Sequence, residues 1–399
     1  MKVLFACGGT AGHINPALAI AEELRKKIPD LRVLFIGAGN KMEKELIPNA
    51  GYDLANIRIS GIKRSFKPKD MMYNLKTLRN LATAGGETER IIKEFSPHIV
   101  VGTGGYVCYP VLKKAAHMGI PTIVHESNAI PGLTTKLLST IAEKVLVSFP
   151  GLEENYRRPE RVVFSGTPVR IGFGATKEDS GNSSAICGNE SNMEGTESPR
   201  PERKPLILSF WGSLGAARMN ETIIEFIKLN IGRGDYRHIH AVGRLCDAGD
   251  MIERLKKMCD LDVLPADIEI KEYIDDMQTA MASADIVICR AGGSTIAELT
   301  AMGKPAVLIP SPYVANNEQI KNARQLEKAG GAIVLEEKDC TGEVLFRNIY
   351  AILEDEGRLK HMAAAQEEIG VPGAARNIAE MIITMAEKGI RNSKLGIQN

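Results

Sequence analysis

The residues best equipped for chemistry stand near the amino terminus, in "CGGTAGHINP" (Cys7–Pro16), where His13 follows a short glycine run at the start of a helical pattern. Glycines let a backbone approach a phosphate or sugar closely, and a helix N-terminus offers N–H groups without helical partners. The positive end of the helix dipole favours a neutral imidazole, which suits a general base. A capping or packing histidine fits the turn equally well.

Similar turns recur. "VGTGGYVCYP" (Val101–Pro110) repeats the glycine pattern after another apolar run, and two such turns in one domain suit an anion the size of pyrophosphate. "HESNAIPG" offers His125, Glu126 and Asn128, any one of which also serves as a helix cap. Further on, "WGSLGAAR" places Ser213 and Gly215 in a second diphosphate-type turn. "CRAGGSTIAEL" puts Glu298 about one turn into a helix, where a carboxylate can accept from both hydroxyls of a ribose. The helix dipole alone would also favour a glutamate there. Gln319, in "NNEQIKNA", carries no meaning by itself.

These turns need strands and helices to hold them. Short Val-, Ile- and Leu-rich runs alternate with helical patterns, which predicts βα units and parallel sheets. Strands are expected at "KVLFAC", "RVLFIG", "HIVVGT", "TIVHES" and "KVLVSF", then at "LILSFW", "RHIHAV", "IEIKEY", "IVICRA" and "AVLIPS". "VLFACGGTAGHINPALAIAEEL" and "LILSFWGSLGAARMNETIIEFI" both read strand, glycine turn, helix. This weak repeat predicts an α/β protein of two doubly wound, Rossmann-like domains, with ligands outside the carboxyl ends of the strands and a cleft between the domains. A dinucleotide fingerprint is absent: the glycine spacing is wrong and the second strand ends in "FIGAGN" with no acid, which disfavours an NAD enzyme.

At 399 residues the chain exceeds one ordinary core, and its 44% hydrophobic and 25% charged content is that of a globular protein. A net charge of +1 supplies no global field for nucleic acid. No signal peptide and no membrane-spanning run of roughly 20 apolar residues is expected. Seven scattered cysteines without a CxxC pair suggest neither a disulfide framework nor a zinc site, so a reducing cytoplasm is the simplest compartment, with Cys7, Cys108 and Cys289 as small buried groups. From Gly172 to Lys204 the composition turns to Gly, Ser, Asn and Glu, which reads as a mobile polar insertion.

Taken together and in order, "GGTAGHINPALAIAEEL", "TGGYVCYPVL", "HESNAIPGL", "GTPVR", "GSLGAAR", "YIDDM", "CRAGGSTIAEL" and "NEQIKNA" resemble the MurG family over nearly the whole chain, from Met1 to about Ala386. Departures are the polar insertion, Ala11 where the family usually has glycine, and Trp211 beside a phosphate turn where it often has glycine. The resemblance implies a GT-B fold and an inverting transfer of N-acetylglucosamine from UDP-GlcNAc to undecaprenyl-linked lipid I, giving lipid II for peptidoglycan and cell division. It implies an acceptor-binding, membrane-facing domain at 1–166 and a linker with the insertion at 167–204. A UDP-GlcNAc domain would then span 205–370, and 371–399 would hold a helix returning to the first domain and a polar tail.

On this likeness His13 is the base, with Glu126 the next candidate. Gly9, Gly104, Gly105, Tyr106 and Glu126 face the acceptor. The donor meets Thr10, Ala11, Gly12, Asn128, Arg170, Ser213, Ile274, the run Gly293, Ser294, Thr295, Ile296, Ala297 and Glu298, and Gln319. No metal is obligatory, although a diphosphate attracts Mg²⁺; "IDDM" reads as a helix cap. "IKRSFKPKDMMYNLKTLRNL" interleaves Lys63, Arg64, Lys67, Lys69, Lys76 and Arg79 with Phe66, Met71, Met72, Tyr73 and Leu75; by themselves these residues fit a basic solvated helix with its apolar side packed inward slightly better, and the implied lipid substrate turns the reading to an anionic membrane surface at the cytoplasmic face. Cell-wall or division machinery are further implied partners. A diacylglycerol glycosyltransferase, a UDP-GlcNAc 2-epimerase and a non-catalytic nucleotide-sugar binder remain as alternatives; the last needs no base at His13.

Overall fold

The computed structural model describes residues 1–61, 84–170 and 204–394; the basic and apolar stretch around Lys63–Leu81 and nearly all of the polar insertion lie outside them. Two compact units are present, Met1–Ile171 with Gly373–Asn399, and Gly172–Pro372.

The first unit is built on seven parallel strands: β1 (Lys2–Cys7), β2 (Arg32–Gly37), β3 (Asp53–Asn56), β4 (Ile99–Gly104), β5 (Thr122–Glu126), β6 (Lys144–Val147) and β7 (Val162–Phe164). Their order is β3-β2-β1-β4-β5-β6-β7. Between them run α1 (Ala11–Lys27), α2 (Lys41–Asn49), α3 (described over 84–95), α4 (Cys108–His117) and α5 (Leu133–Leu138). Strand β1 shows why the sheet needs helices on both faces. Val3, Phe5 and Cys7 point into one apolar cluster, while Leu4 and Ala6 point into another, and all five are fully buried.

In the second unit the strands are β8 (Leu206–Phe210), β9 (Arg237–Ala241), β10 (Ile268–Lys271), β11 (Ile286–Cys289), β12 (Ala306–Leu308) and β13 (Ala332–Val334), ordered β10-β9-β8-β11-β12-β13 and parallel throughout. Its helices are α6 (Ala217–Arg233), α7 (Ala248–Cys259), α8 (Met277–Ser283), α9 (Gly293–Ala301), α10 (Glu318–Ala329), α11 (Gly342–Leu353) and α12 (Glu356–Ile369). The last helix, α13 (Ala374–Lys394), belongs to the first unit, where Ile378, Ala379, Ile382 and Ala386 share a core with Ile14, Ala17 and Leu18 of α1.

Each sheet reverses its strand order once, at β1/β4 and at β8/β11. Adjacent connections there leave on opposite faces and open a crevice at the carboxyl ends. The four glycine turns follow these four strands. Strands β3, β7 and β13, absent from the sequence expectation, are three or four residues long and lie at sheet edges, where pairing with a neighbour rather than apolar run length decides the structure. Cys7, Cys108 and Cys289 are buried free thiols, with Cys108 pushed up to about 12 by burial. Among the described residues, no helix is long and apolar enough to cross a membrane, and no group of His, Cys, Asp or Glu is arranged to hold a metal ion.

Candidate functional site

At the first switch point α1 begins at Ala11, with Thr10 as its N-cap, so His13 lies inside the first turn and not at its head. Its Nδ1 is 2.8 Å from the carbonyl oxygen of Gly8, and the Thr10 hydroxyl is 3.5 Å away. A carbonyl can only accept, so Nδ1 carries the hydrogen; in the neutral ring Nε2 is then left with its lone pair. The Thr103 hydroxyl donates to the His13 carbonyl at 2.7 Å, tying the helix to the end of β4. The two turns also interlock. A Cβ on Gly104 would stand 2.3 Å from His13 Cδ2, and one on Gly105 would stand 2.5 Å from the Gly8 oxygen. Both glycines have positive φ, +124° and +90°, so side chains are excluded there by space and by backbone.

Glu43, a residue with no place in the glycine motifs, holds this arrangement from behind. It is completely buried at the start of α2. Oε1 accepts from the Gly9 N–H and the Asn40 amide, both at 3.0 Å; Oε2 accepts from the N–H groups of Gly39 at 2.7 Å and Asn40 at 3.0 Å. The same Asn40 amide donates to the Tyr106 hydroxyl at 3.3 Å, reaching the turn after β4. The acid missing from the end of β2 thus arrives three residues after Asn40 and folds back; the Asn-x-x-Glu capping box was its sequence signal.

Beyond β5, Glu126 is buried and saturated. It accepts from the Asn128 N–H (3.2 Å) and amide (3.0 Å), the Gly132 N–H (3.1 Å) and the Thr135 hydroxyl (2.6 Å). Three donors from the loop after β5 and one from Thr135 in α5 remove it as a reserve base. It shapes the segment that carries Asn128 and anchors the start of α5. His125 donates from Nε2 to the Gly166 carbonyl at 3.0 Å, and burial lowers its pKa, so it is a neutral structural group. Arg170 is exposed and lies 3.6 Å from Glu22, a solvent-screened pair of little strength that leaves the guanidinium usable.

The second switch point gathers Ser213, on an exposed turn after β8, with the α9 N-terminus after β11. The first α9 backbone bond runs from the Ile296 N–H to the Gly292 carbonyl, so the N–H groups of Gly293, Ser294 and Thr295 have no partner within the helix. The Ser294 hydroxyl is buried and unpartnered. Glu298 is the sixth residue of α9, past the first turn. Its carboxyl keeps some exposed surface but is walled in by protein, accepts no hydrogen bond from the described residues, and is pushed up to about 7 by burial. At that depth the helix dipole, which acts within the first turn, gives a carboxylate little support.

Ile274 is buried just past β10, and the next acidic pair ends in Asp276, whose carboxylate caps α8 through the Thr279 N–H at 3.0 Å. Gln319 accepts from the Ser311 N–H at 2.8 Å, which turns its amide nitrogen away from that strand end. Trp211 packs beneath the glycine turn after β8, 6.3 Å from the His240 ring and 5.7 Å from the Arg290 guanidinium. Behind it lies a polar chain that the motifs did not reveal. Asn220 donates to the Val242 carbonyl, so its oxygen receives His240 Nε2–H; His240 Nδ1 then accepts from Ser209, and Ser209 accepts from His238 Nε2–H. Burial pushes His240 down to about 3 and holds His238 well below the ordinary imidazole range.

The chain matches the model described as the glycosyltransferase family 28 N-terminal domain over residues 3–147, and the corresponding C-terminal domain over 206–378. It is 40% identical over 382 residues to the Acetivibrio thermocellus protein named UDP-N-acetylglucosamine--N-acetylmuramyl-(pentapeptide) pyrophosphoryl-undecaprenol N-acetylglucosamine transferase, with 96% of this chain and 97% of the relative covered. A Bacillus cereus protein of that name, numbered 1, is 40% identical over 392 residues, covering 97% of this chain and all of the relative. Among solved structures, the crystal structure of Acinetobacter baumannii MurG superposes with a TM-score of 0.70 at 25% identity, covering 96% of this chain and 100% of that one.

Proposed function

The chain belongs to glycosyltransferase family 28, and within it to the MurG enzymes, and from that premise we propose which residues carry each part of the reaction. The protein is an N-acetylglucosamine transferase of the GT-B fold that moves the sugar from UDP-GlcNAc to lipid I, forming lipid II. His13 Nε2 accepts the proton of the acceptor hydroxyl as that oxygen attacks the anomeric carbon. The bond from that carbon to the UDP oxygen breaks, its electron pair leaves with the β-phosphate, and attack from the opposite face inverts the centre. One observation carries the assignment: the Nδ1 bond to Gly8 leaves Nε2 unprotonated at a sheet switch point.

The remaining roles follow the chemistry of each place. Gly9, Gly104, Gly105 and Tyr106 receive the acceptor's pyrophosphate, with Glu126 acting through the loop it shapes. Glu298 accepts from the ribose hydroxyls, and the Ile274 backbone meets the uracil. N–H groups at the α9 start, with Ser213 and Arg170, take up charge on the leaving diphosphate. To the transferred sugar we assign Asn128, the amide nitrogen of Gln319, Thr10, Ala11 and Gly12. The protein works at the cytoplasmic membrane surface, held by the basic and aromatic stretch around Phe66, alongside cell-wall and division machinery.

The test is an assay of labelled UDP-GlcNAc with and without lipid I. Product that appears only with lipid I supports the reading. Epimerised UDP-sugar formed without lipid I would replace it with the epimerase alternative. Replacing Phe66, Met71 and Met72 with serine should lower activity on vesicle-borne lipid I and spare a short-chain soluble acceptor; equal losses on both would reject the membrane role.

A further inference from the structure

The hydrogen of Gly9 that Glu43 holds and the oxygen of Gly8 that His13 holds belong to one peptide group. In a trans peptide these atoms point in opposite directions, so fixing one fixes the other. We propose that Glu43 is a positioning residue whose carboxylate locks the Gly8–Gly9 peptide with its carbonyl toward His13, and so sets the ring tautomer that leaves Nε2 free. The inference rests on the reading of His13 as the base. It extends that reading to a residue outside the glycine turns and in contact with neither substrate.

The geometry leaves little choice of orientation. Rotating the peptide by half a turn would aim the Gly9 N–H at His13 Nδ1 and the Gly8 carbonyl at the carboxylate. Two lone-pair-bearing oxygens would then face each other in a completely buried place. Three further donors hold the carboxylate itself. It sits so close to two strand ends that a Cβ on Gly8 or on Gly37 would stand 2.4 Å or 2.6 Å from its oxygens. The line from Glu43 through the peptide to Nδ1 is a chain of donors all pointing one way, in which each bond polarises the next. If the peptide flipped, Nδ1 would become the acceptor, the hydrogen would move to Nε2, and the base would be lost.

The test combines ring-nitrogen NMR of histidine-labelled protein with kinetics of Glu43→Gln. The seven histidines are sorted by the signal missing from His13→Asn. In the wild type, His13 should show a protonated Nδ1 and a bare Nε2. Glu43→Gln keeps the shape but turns an amide NH₂ toward donors; it should populate the Nε2–H form and lower kcat by at least about tenfold, with the UDP-GlcNAc KM within about twofold. An Nε2–H tautomer in the wild type overturns the proposal without any variant, so a Glu43→Gln protein that fails to fold does not shelter it. A normal kcat in Glu43→Gln, or a lowered kcat with Nδ1 still protonated, overturns it as well. If His13→Asn turns over normally, the base assignment fails, and the tautomer shift in Glu43→Gln still decides whether Glu43 orients the ring.

Discussion

Gly104 presses its Cα against the imidazole of His13: a single added methyl group would stand 2.3 Å from Cδ2 and 2.9 Å from Nε2. The ring is thus gripped between two turns, one supplying a hydrogen bond and the other a surface with no side chain. A base held on two sides loses little freedom at the moment of proton transfer.

Gly104→Ala should therefore push the ring from its place. The expected result is a fall in kcat of about 10²-fold, most of a general base's usual worth, with donor KM changed only a few-fold. Steady-state kinetics with both substrates varied checks this. A loss confined to KM would mean that the glycine serves binding and not the position of His13.

Glu298→Gln should weaken UDP binding by ~1.5–3 kcal/mol, the range for hydrogen bonds to a charged group. In the wild type, affinity should also fall as pH drops through about 7, where the carboxyl takes a proton and can no longer accept from both hydroxyls. Calorimetry with UDP and a deoxyribose analogue, from pH 6 to 8, tests both statements. Equal discrimination by the two proteins would remove Glu298 from the ribose.

The same carboxylate costs stability. Its folded pKa, about 7, is raised above the ordinary value of 4.5, so the folded protein binds the extra proton between those limits and stability declines as pH rises across them. Unliganded Glu298→Gln should melt higher than the wild type at pH 8, with the gain shrinking toward pH 5. A mutant that melts lower at pH 8 would contradict a carboxylate held without partners.

His238 and His240 act in the opposite direction. Both are buried neutral with pKa values lowered, so the unfolded chain gains protons that the folded one refuses once pH falls below about 6.5. With the opposing carboxylate removed by Glu298→Gln, stability of the second unit should drop from pH 6.5 downward. Ser209→Ala strands two ring nitrogens and should cost ~1–3 kcal/mol at neutral pH. Denaturant melts in the Glu298→Gln background at pH 7.5 and 5.5 read both effects, and a pH-independent midpoint for the second unit there would deny the network.

Much of this site was legible because its parts follow one rule: glycine turns after apolar strands fall at carboxyl edges, and two sheets of this topology have one switch point each. That Gly104 and Ser213 stand where a strand gives way to a turn, and Glu298 in the helix that follows such a turn, was readable from their own neighbourhoods. What local sequence does not carry is the far end of a side chain. Glu43 lies 34 residues from the peptide it fixes, and Ser209 joins histidines 29 and 31 residues away. Glu126 misled for the same reason: a carboxylate at a strand end looks available until its four donors are placed around it.

Whether His13 is the base is decided by the turnover of His13→Ala with lipid I and labelled UDP-GlcNAc, both saturating. His13→Ala should show a kcat lower by ~10² or more, with the UDP-GlcNAc KM within a few-fold, because the donor's nucleotide is assigned to the second unit. A His13→Ala enzyme that turns over within a few-fold of the wild type, or that loses only donor affinity, would contradict it.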